Sequence, residues 1–257
     1  MKKLPFAVSI PHGGTDIPEE FVANVKASAE CMKEDVDHLT REICDIPEER
    51  LRHLLSFSTS RTFVDLNRPP DAFGVDHPDG VVKRLTHLKK PVFHEFPSEQ
   101  TVSRVLQRLY TPYHQKLKAV TEDPTVRLTL DCHSMSPRAL PASPDELGAE
   151  RPAICLGHKG GKSASLETIM TLRDIMAQVY ELPVNEIVID KPFNGGYITG
   201  AYGSPETPFI QIEFSRGFYM GDQVGHPAPS LSDREKELWA GRFSDTLEML
   251  AKSSIFR

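Results

Sequence analysis

The sequence predicts one α/β domain in which helices cover both faces of a mixed, mainly parallel sheet. Short apolar segments alternate with helix-like segments, and several of the apolar segments are apolar on both faces, as in a covered sheet. No low-complexity linker or internal repeat divides the chain of 257 residues. This length allows one large domain or two small ones, and the unbroken alternation favours a single domain over residues 1–257.

The predicted strands are short runs rich in valine, isoleucine, leucine and phenylalanine. Their shortness and their composition favour strands over helices. In chain order they are PFAVSI (5–10), LLSFS (54–58), TFVDL (62–66), VRLTLD (126–131), AICLG (153–157), EIVID (186–190) and PFIQIEF (208–214).

Five helices are predicted between and after these strands. The last is the best marked, because Ser232 and Glu235 have the spacing of a capping box and apolar residues follow at helical spacing. Pro112 lacks a backbone donor and is expected to kink or split the third helix. The predicted helices span 17–29, 36–46, 98–122, 163–181 and 232–252, and long loops are expected over 67–80, 134–150 and 221–230.

Composition narrows the class of partner. The formal net charge of −6 disfavours nucleic acid, whose binding proteins usually carry a basic face. No apolar run approaches the roughly 18 to 20 residues needed to cross a bilayer, and no cleavable leader is recognised. The four cysteines lack a C-x-x-C spacing and are expected to be reduced. We therefore expect a cytoplasmic protein that acts on a small molecule, with its oligomeric state left open.

Two histidines follow predicted strands and suggest a metal site. Ligands of open α/β sheets bind at the carboxyl ends of strands. His12 follows the segment FAVSIP, and His133 follows VRLTLD. Two imidazoles and one carboxylate, with an open position, form a typical catalytic zinc site. Asp16, Asp35 and Asp37 are the candidates for the carboxylate; Asp37 is favoured, although it could equally serve as a favourable charge at a helix N-terminus.

Other polar residues near strand ends suggest the remaining roles. Glu213 is the candidate general base, with a salt bridge to Arg216 as the alternative. Asn67 and Arg68 follow TFVD and suit a carboxylate ligand, because the arginine fork matches its two oxygens. Asp131 lies two residues before His133 and therefore points to the same side of a strand, where it could orient an imidazole.

Two further patterns resemble functional motifs without meeting their requirements. GHKGGKS (157–163) is similar to a phosphate loop, but three residues rather than four separate Gly157 from Gly161, and Leu156 occupies the position of the first glycine. Cys132 and His133 are adjacent on a strand and point to opposite faces, so a nucleophile–base pair is disfavoured and a buried thiol is expected.

With these residues identified, the chain resembles the N-formylglutamate amidohydrolase family. The matching segments, in order, are SIPHGG, EDVDHL, FVDLNRPP, YTPYH, LDCHSM, ICLGHKGGKS, NGGYITGAYG and IQIEFSRGFYM. The resemblance implies a three-layer α/β/α domain similar in fold to the zinc carboxypeptidases. Those enzymes take a zinc carboxylate three residues after the first histidine, where this chain has Thr15, so the third ligand must come from elsewhere.

The resemblance also implies an activity and a set of residues. It implies zinc-dependent hydrolysis of N-formyl-L-glutamate to formate and L-glutamate, in histidine degradation. His12 and His133 would bind zinc and Glu213 would be the base. From its place after the last strand, Arg216 is the catalytic arginine expected to support the oxyanion. The implied substrate-binding residues are Asn67, Arg68, Asn194, Gly195, Gly196 and Tyr197. The alternatives are a metal-dependent amidase for another N-acyl or peptide-like substrate, and a non-catalytic anion binder that uses GHKGGKS.

Overall fold

The computed structural model describes residues 3–224 and 229–256. Its described strands form one six-stranded sheet in the order β2-β1-β3-β6-β4-β5. Neighbouring strands are parallel except for β4 and β6, so the sheet is mixed and mainly parallel, as predicted. The strands are β1 (Phe6–Ile10), β2 (His53–Ser56), β3 (Leu128–Met135), β4 (Ile154–Gly157), β5 (Ile187–Ile189) and β6 (Phe209–Ser215).

The α-helices in the described part of the chain differ from the prediction mainly in its first quarter. Residues 17–29 do not form the predicted helix, because the backbone of Lys26 and Ala27 bonds to Val92 instead. The helix predicted over 36–46 shrinks to one turn, since the positive φ of Leu39 interrupts it. The helices are α1 (Ala29–Lys33), α2 (Thr40–Ile43), α3 (Glu99–Val105), α4 (Thr111–Glu122), α5 (Leu166–Val179), α6 (Tyr197–Tyr202), α7 (Arg216–Met220) and α8 (Asp233–Lys252).

Pro112 does not break the predicted third helix. A π-helical turn over Leu106–Tyr110 joins α3 to α4, and the Thr111 amide donates to the Leu106 carbonyl five residues earlier. Pro112 then lies in the first turn of α4, where its missing amide is tolerated. The wide turn therefore takes the place of the expected kink. The capping box predicted for the last helix is present at Ser232 and Glu235.

Alternate strand residues face two different layers, which accounts for the double coverage of the sheet. Val8, Leu130 and Ile212 belong to a buried apolar cluster with α5 and α8, while Ala7 and Phe209 pack with α4 on the other face. Toward the carboxyl ends of the strands, this second face changes from apolar to polar. Its buried polar residues include Ser9, Asp131, His133, Gln211 and Glu213.

The segment TFVDL is not a strand, contrary to prediction. Residues 57–98 form turns and isolated bridges, and this described stretch contains no helix or strand. Phe63, Val64 and Leu66 are all fully buried, so consecutive side chains enter the core rather than alternating. The Val64 amide bonds to Ser60 and the Asp65 amide bonds to Val81, and these contacts replace a strand ladder. We call residues 57–98 the buried loop.

Candidate active site

A cavity of about 390 Å³ lies where β1, β3 and β6 end beside the buried loop. It brings together all but one of the residues to which the sequence analysis finally assigned a metal-binding, catalytic or substrate-binding role. The exception is Tyr197, which begins α6 and packs its ring 5.8 Å from that of His114, outside the described lining of the cavity. The predicted residues that line the cavity are His12, Asp37, Asn67, Arg68, His133, Asn194, Gly195, Gly196, Glu213 and Arg216.

The two imidazoles and one carboxylate converge at the floor of this cavity. The ring centroids of His12 and His133 are 4.7 Å apart. Their Nδ1 atoms lie 3.6 Å and 3.0 Å from the same oxygen of Asp37. All three residues are buried, and one ligand atom from each lies within 4.8 Å of the others. His133 lies within β3 rather than after it, because the strand continues to Met135.

The other two candidate carboxylates lie elsewhere. Asp35 is buried, but its oxygens accept from the Thr62 hydroxyl at 3.0 Å and the His87 amide at 2.7 Å. Asp16 is exposed and joins the buried loop through its backbone. Of the three aspartates considered, Asp37 is the one that lies between the histidines.

Each imidazole is held from behind by a further carboxylate. The Nε2 atom of His12 lies 2.9 Å from Asp65, and that of His133 lies 3.0 Å from Asp131. Because a carboxylate accepts and an imidazole N–H donates, this arrangement leaves the lone pair of each neutral ring on Nδ1, toward Asp37. Ser9 donates to the second oxygen of Asp131 at 2.7 Å. The paired orientation expected of Asp131 and His133 is observed.

Two cations, one of them fully buried, hold the carboxylate behind His12. Arg61 donates to one oxygen of Asp65 through Nε at 3.2 Å and Nη2 at 2.8 Å. Lys83 is fully buried, and its ammonium lies 3.8 Å from Asp65 and bonds to Asp79. The side chain of Asp65 therefore lies between fixed positive charges and His12.

The electrostatics of this floor favour positive charge between the imidazoles. Burial alone would raise the pKa of Asp37, but the neighbouring imidazoles lower it well below its ordinary value. Burial alone would lower the pKa of His133, but the charge of Asp131 raises it well above its ordinary value. Three buried carboxylates thus surround two rings, an arrangement that a cation would stabilise.

Glu213 lies beside His133 on the neighbouring strand. The two residues are paired in register between β3 and β6 and lie on the same face of the sheet. Gln211 donates to the Glu213 carboxylate at 2.7 Å, and burial raises the pKa of Glu213 to about 7. Arg216 is bonded elsewhere, to the Val36 carbonyl and to Glu34, both at 3.0 Å. The observed partners of Arg216 are thus Val36 and Glu34, and the alternative of a salt bridge between Glu213 and Arg216 is not supported.

Asn67 and Arg68 lie on the buried loop rather than after a strand. Asn67 accepts from the Ile198 amide at 2.8 Å, and a Cβ atom on Gly196 would overlap the Asn67 side chain at 2.1 Å. Arg68 donates to Asp79 through Nε and Nη2 at 2.9 and 2.5 Å. This pair is therefore fixed by contacts on both sides, and residue 196 must be glycine for the segments to approach.

The helix pair α3–α4 fixes the backbone of the same segment. The Tyr110 hydroxyl donates to the Arg68 carbonyl at 2.9 Å, and His114 Nε2 bonds to the Leu66 carbonyl at 3.0 Å. The two rings stack with centroids 3.8 Å apart. Burial lowers the pKa of His114 to about 4, so its imidazole is neutral near pH 7.

The loop that resembles a phosphate site already contains an anion. The Asp190 carboxylate accepts from the His158 amide at 2.8 Å and from the Gly160 amide at 2.9 Å. These are the backbone donors that a phosphate would need, so the structure disfavours the anion-binding alternative.

Cys132 is buried on the face opposite His133, and burial raises its pKa well above the ordinary value.

Several residues of the site are absent from the sequence-based prediction. Asp65, Arg61 and Lys83 act through contacts between segments that are distant from the strands, and no spacing rule identifies them. Arg151 lines the cavity from the end of the loop that follows β3. Gln211 could have been found, because it lies two residues before Glu213 and so shares its side of β6.

Comparison with known proteins identifies the family of this chain. The sequence profile of the N-formylglutamate amidohydrolase family matches residues 4–220. An N-formylglutamate deformylase of Pseudomonas aeruginosa is 27% identical over 236 residues, which cover 86% of this chain and 84% of that protein. Within the described residues, no helix combines the length and the apolar character that crossing a membrane requires.

Solved structures show the same fold. An N-formylglutamate amidohydrolase from Ralstonia eutropha superposes with a TM-score of 0.79 at 20% identity, covering 98% of this chain and 95% of that one. A protein from Agrobacterium tumefaciens gives 0.68 at 16% identity, covering 97% and 90%. The family match extends over most of the chain, including every segment that forms the cavity floor. The chain belongs to the N-formylglutamate amidohydrolase family and is an amide hydrolase.

Proposed function

We propose that this chain, as a single catalytic domain, hydrolyses N-formyl-L-glutamate to formate and L-glutamate with one bound zinc ion. The observation that carries the proposal is the convergence of His12, Asp37 and His133 beside Glu213. The family match supports the substrate, since the Pseudomonas aeruginosa relative is an N-formylglutamate deformylase.

The donor set fits a zinc ion. Nδ1 of His12 is buried without a hydrogen-bond partner, which is costly unless another group binds it. Two imidazoles and a carboxylate are typical ligands of catalytic zinc. Carboxylates behind the ligating rings, here Asp65 and Asp131, fix the tautomer and the orientation that such sites need.

A zinc ion bound there would supply Lewis acidity, lowering the pKa of a coordinated water and polarising the formyl carbonyl. Glu213 is the group of this chain that accepts the proton as the water oxygen bonds to the formyl carbon. The same carboxyl then delivers that proton to the amine nitrogen as the C–N bond breaks. Burial raises the pKa of the Glu213 carboxyl, a shift that suits a group which must both take up and return a proton.

The cavity walls orient the substrate. Asn67 and Arg68 hold one carboxylate, and the segment from Asn194 to Gly196 forms the opposite wall. Arg216 donates a hydrogen bond to the carbonyl of Val36, the residue directly before Asp37, so we assign it a role in positioning Asp37. This replaces the direct catalytic role expected from the sequence.

Glu213→Gln tests the proposal. We expect wild-type protein to contain about one zinc per chain and to release formate from N-formyl-L-glutamate. The variant is expected to keep its zinc and to lose roughly 10²- to 10⁴-fold in kcat, the usual contribution of a general base. Elemental analysis and a formate assay measure both. Retained turnover in the variant would remove Glu213 from the mechanism, and wild type without formate release would remove the proposed substrate.

A further inference from the structure

Four guanidiniums are among the described residues that line the cavity, and each already pairs with a carboxylate of the protein. The pairs differ in the groups that the remaining guanidinium nitrogens contact, and these contacts decide what the arginine can still bind. The pairs are Arg61 with Asp65, Arg68 with Asp79, Arg151 with Asp145, and Arg216 with Glu34.

Two of these arginines direct Nη1 to the segment that carries the ligand Asp37. Nη1 of Arg61 lies 3.6 Å from Asp37, so this end faces the ligand carboxylate. Arg216 divides its terminal nitrogens between the Val36 carbonyl and Glu34. Both arginines therefore support the position of Asp37.

Arg151 and Arg68 are each fixed by one aspartate, through Nε and Nη2. The Asp145 carboxylate accepts from both nitrogens of Arg151, at 2.9 and 2.7 Å, whereas Nε of Arg68 donates to the Asp79 main-chain carbonyl at 2.9 Å and Nη2 to the Asp79 carboxylate at 2.5 Å. In each case Nη1 makes one bond to a nearby backbone carbonyl, that of Ser136 for Arg151 and that of Asn67 for Arg68. Each terminal nitrogen carries two hydrogens, so both arginines keep a donor on Nη1 and on Nη2.

We propose that Arg151 binds the second carboxylate of the substrate, as Arg68 binds the first. This inference rests on the proposed function, because N-formyl-L-glutamate carries two carboxylates and the Asn67–Arg68 pair accounts for one. Arg151 is 3% exposed and lies over the ring of Phe193, with its guanidinium carbon 4.9 Å from the ring centroid. Asp145 and Phe193 thus fix the plane of the fork before a ligand arrives.

The position of Arg151 agrees with this role. Its charge acts on the carboxyl of Glu213, so it lies within electrostatic reach of the candidate base. It ends the loop after β3, whose residues Leu140, Ser143 and Pro144 form part of the cavity wall. Arg151 is therefore a specificity-determining residue: it selects an acidic side chain on the substrate and takes no part in bond breaking.

The test compares two substrates of nearly the same shape, N-formyl-L-glutamate and N-formyl-L-glutamine. In Arg151→Gln, kcat/KM for N-formyl-L-glutamate is expected to fall roughly 10- to 100-fold, the effect of losing hydrogen bonds to a charged group, while kcat/KM for N-formyl-L-glutamine stays nearly unchanged. Arg151→Lys, which keeps the charge without the fork, is expected to lie between wild type and Arg151→Gln. Arg138→Gln is the control, because Arg138 is exposed and pairs with Glu150 in the same loop.

Equal losses on both substrates in Arg151→Gln would overturn the inference and make Arg151 a structural or catalytic residue. Should Arg151→Gln fail to fold, Arg151→Lys decides: unchanged discrimination between the two substrates overturns the inference, and reduced discrimination supports it. Failure of the proposed function gives a different result, since wild type would then release formate from neither compound.

Discussion

The strand ends and the buried loop form two sides of one cavity, but they are fixed by different forces. On the strands, backbone ladders set the geometry: His133 and Glu213 are neighbours because β3 and β6 are in register. In the buried loop, isolated main-chain bonds such as that from Asp65 to Val81 take the place of a ladder, and buried ion pairs add to them, with Lys83 bonded to Asp79 and close to Asp65. Residues on strands are therefore placed by a regular ladder, and residues of the loop by isolated main-chain bonds together with charge.

His133→Ala should break the strand side most strongly. It removes a ligand, so metal affinity is expected to fall by more than the roughly 10- to 100-fold that loss of a residue behind a ligand costs, and activity is expected to be abolished. Metal analysis of the purified protein and a formate assay measure the two effects. His53→Ala is the matched control, because His53 lies on β2 and pairs with Asp123. Equal metal content in His133→Ala and wild type would exclude His133 from the site.

Lys83→Met tests whether charge fixes the loop side. Removing this fully buried cation leaves Asp65 with Arg61 and Asp79 with Arg68 as their remaining cations, and we expect a loss of about 3 kcal/mol in the free energy of unfolding. Lys118→Met, at a position 72% exposed, is expected to change it by less than about 0.5 kcal/mol. Urea unfolding measures both. A loss below about 1 kcal/mol in Lys83→Met would mean that apolar packing alone fixes the loop.

The smallest expected effect is a pH dependence of the free energy of unfolding, and it arises from His114 on α4, the helix that supports the loop. The pKa of His114 is about 4 in the folded state, below the ordinary value of about 6.5. Between these values the unfolded chain binds a proton that the folded protein does not, so stability falls as pH decreases from 6.5 toward 4. From pH 7 to pH 5 this one group is expected to cost about 2 kcal/mol.

Urea unfolding at the two pH values measures this loss, and His114→Gln, which cannot titrate, isolates it. The wild type is expected to lose about 2 kcal/mol more than the variant over the same pH interval. Equal losses in the two proteins would show that His114 takes up its proton in the folded state as readily as in the unfolded chain.

The difference between the two sides also explains what could be predicted from sequence. Six of the apolar runs are strands because their burial follows a backbone pattern, and residues at or near their ends, such as His12 and Glu213, were found by that rule. TFVDL has the same local pattern, but its residues are buried consecutively by contacts with distant segments. Asn67 and Arg68 were identified by their chemistry although the strand assigned to them was wrong.

The ligand carboxylate shows the same limit at the scale of one residue. Asp35 and Asp37 are two positions apart and both fully buried, yet one bonds to Thr62 and the other lies between the histidines. The difference depends on the positive φ of Leu39 and on the bond from the Asp37 amide to the His12 carbonyl. Neither this backbone conformation nor this hydrogen bond can be recognised from the local sequence.

The π-helical turn ahead of Pro112 changes the angular spacing along α3 and α4. Val102, Leu106, Tyr110 and His114 are all buried, yet they are spaced four residues apart. In a regular α-helix each such step advances by about 40° beyond a full turn, which would accumulate to about 120° over the three steps. One extra residue within the wide turn cancels about 100° of that rotation. A single helix can therefore keep two aliphatic residues in the core and still direct a phenol and an imidazole, in line with them, at the carbonyls on either side of Asn67.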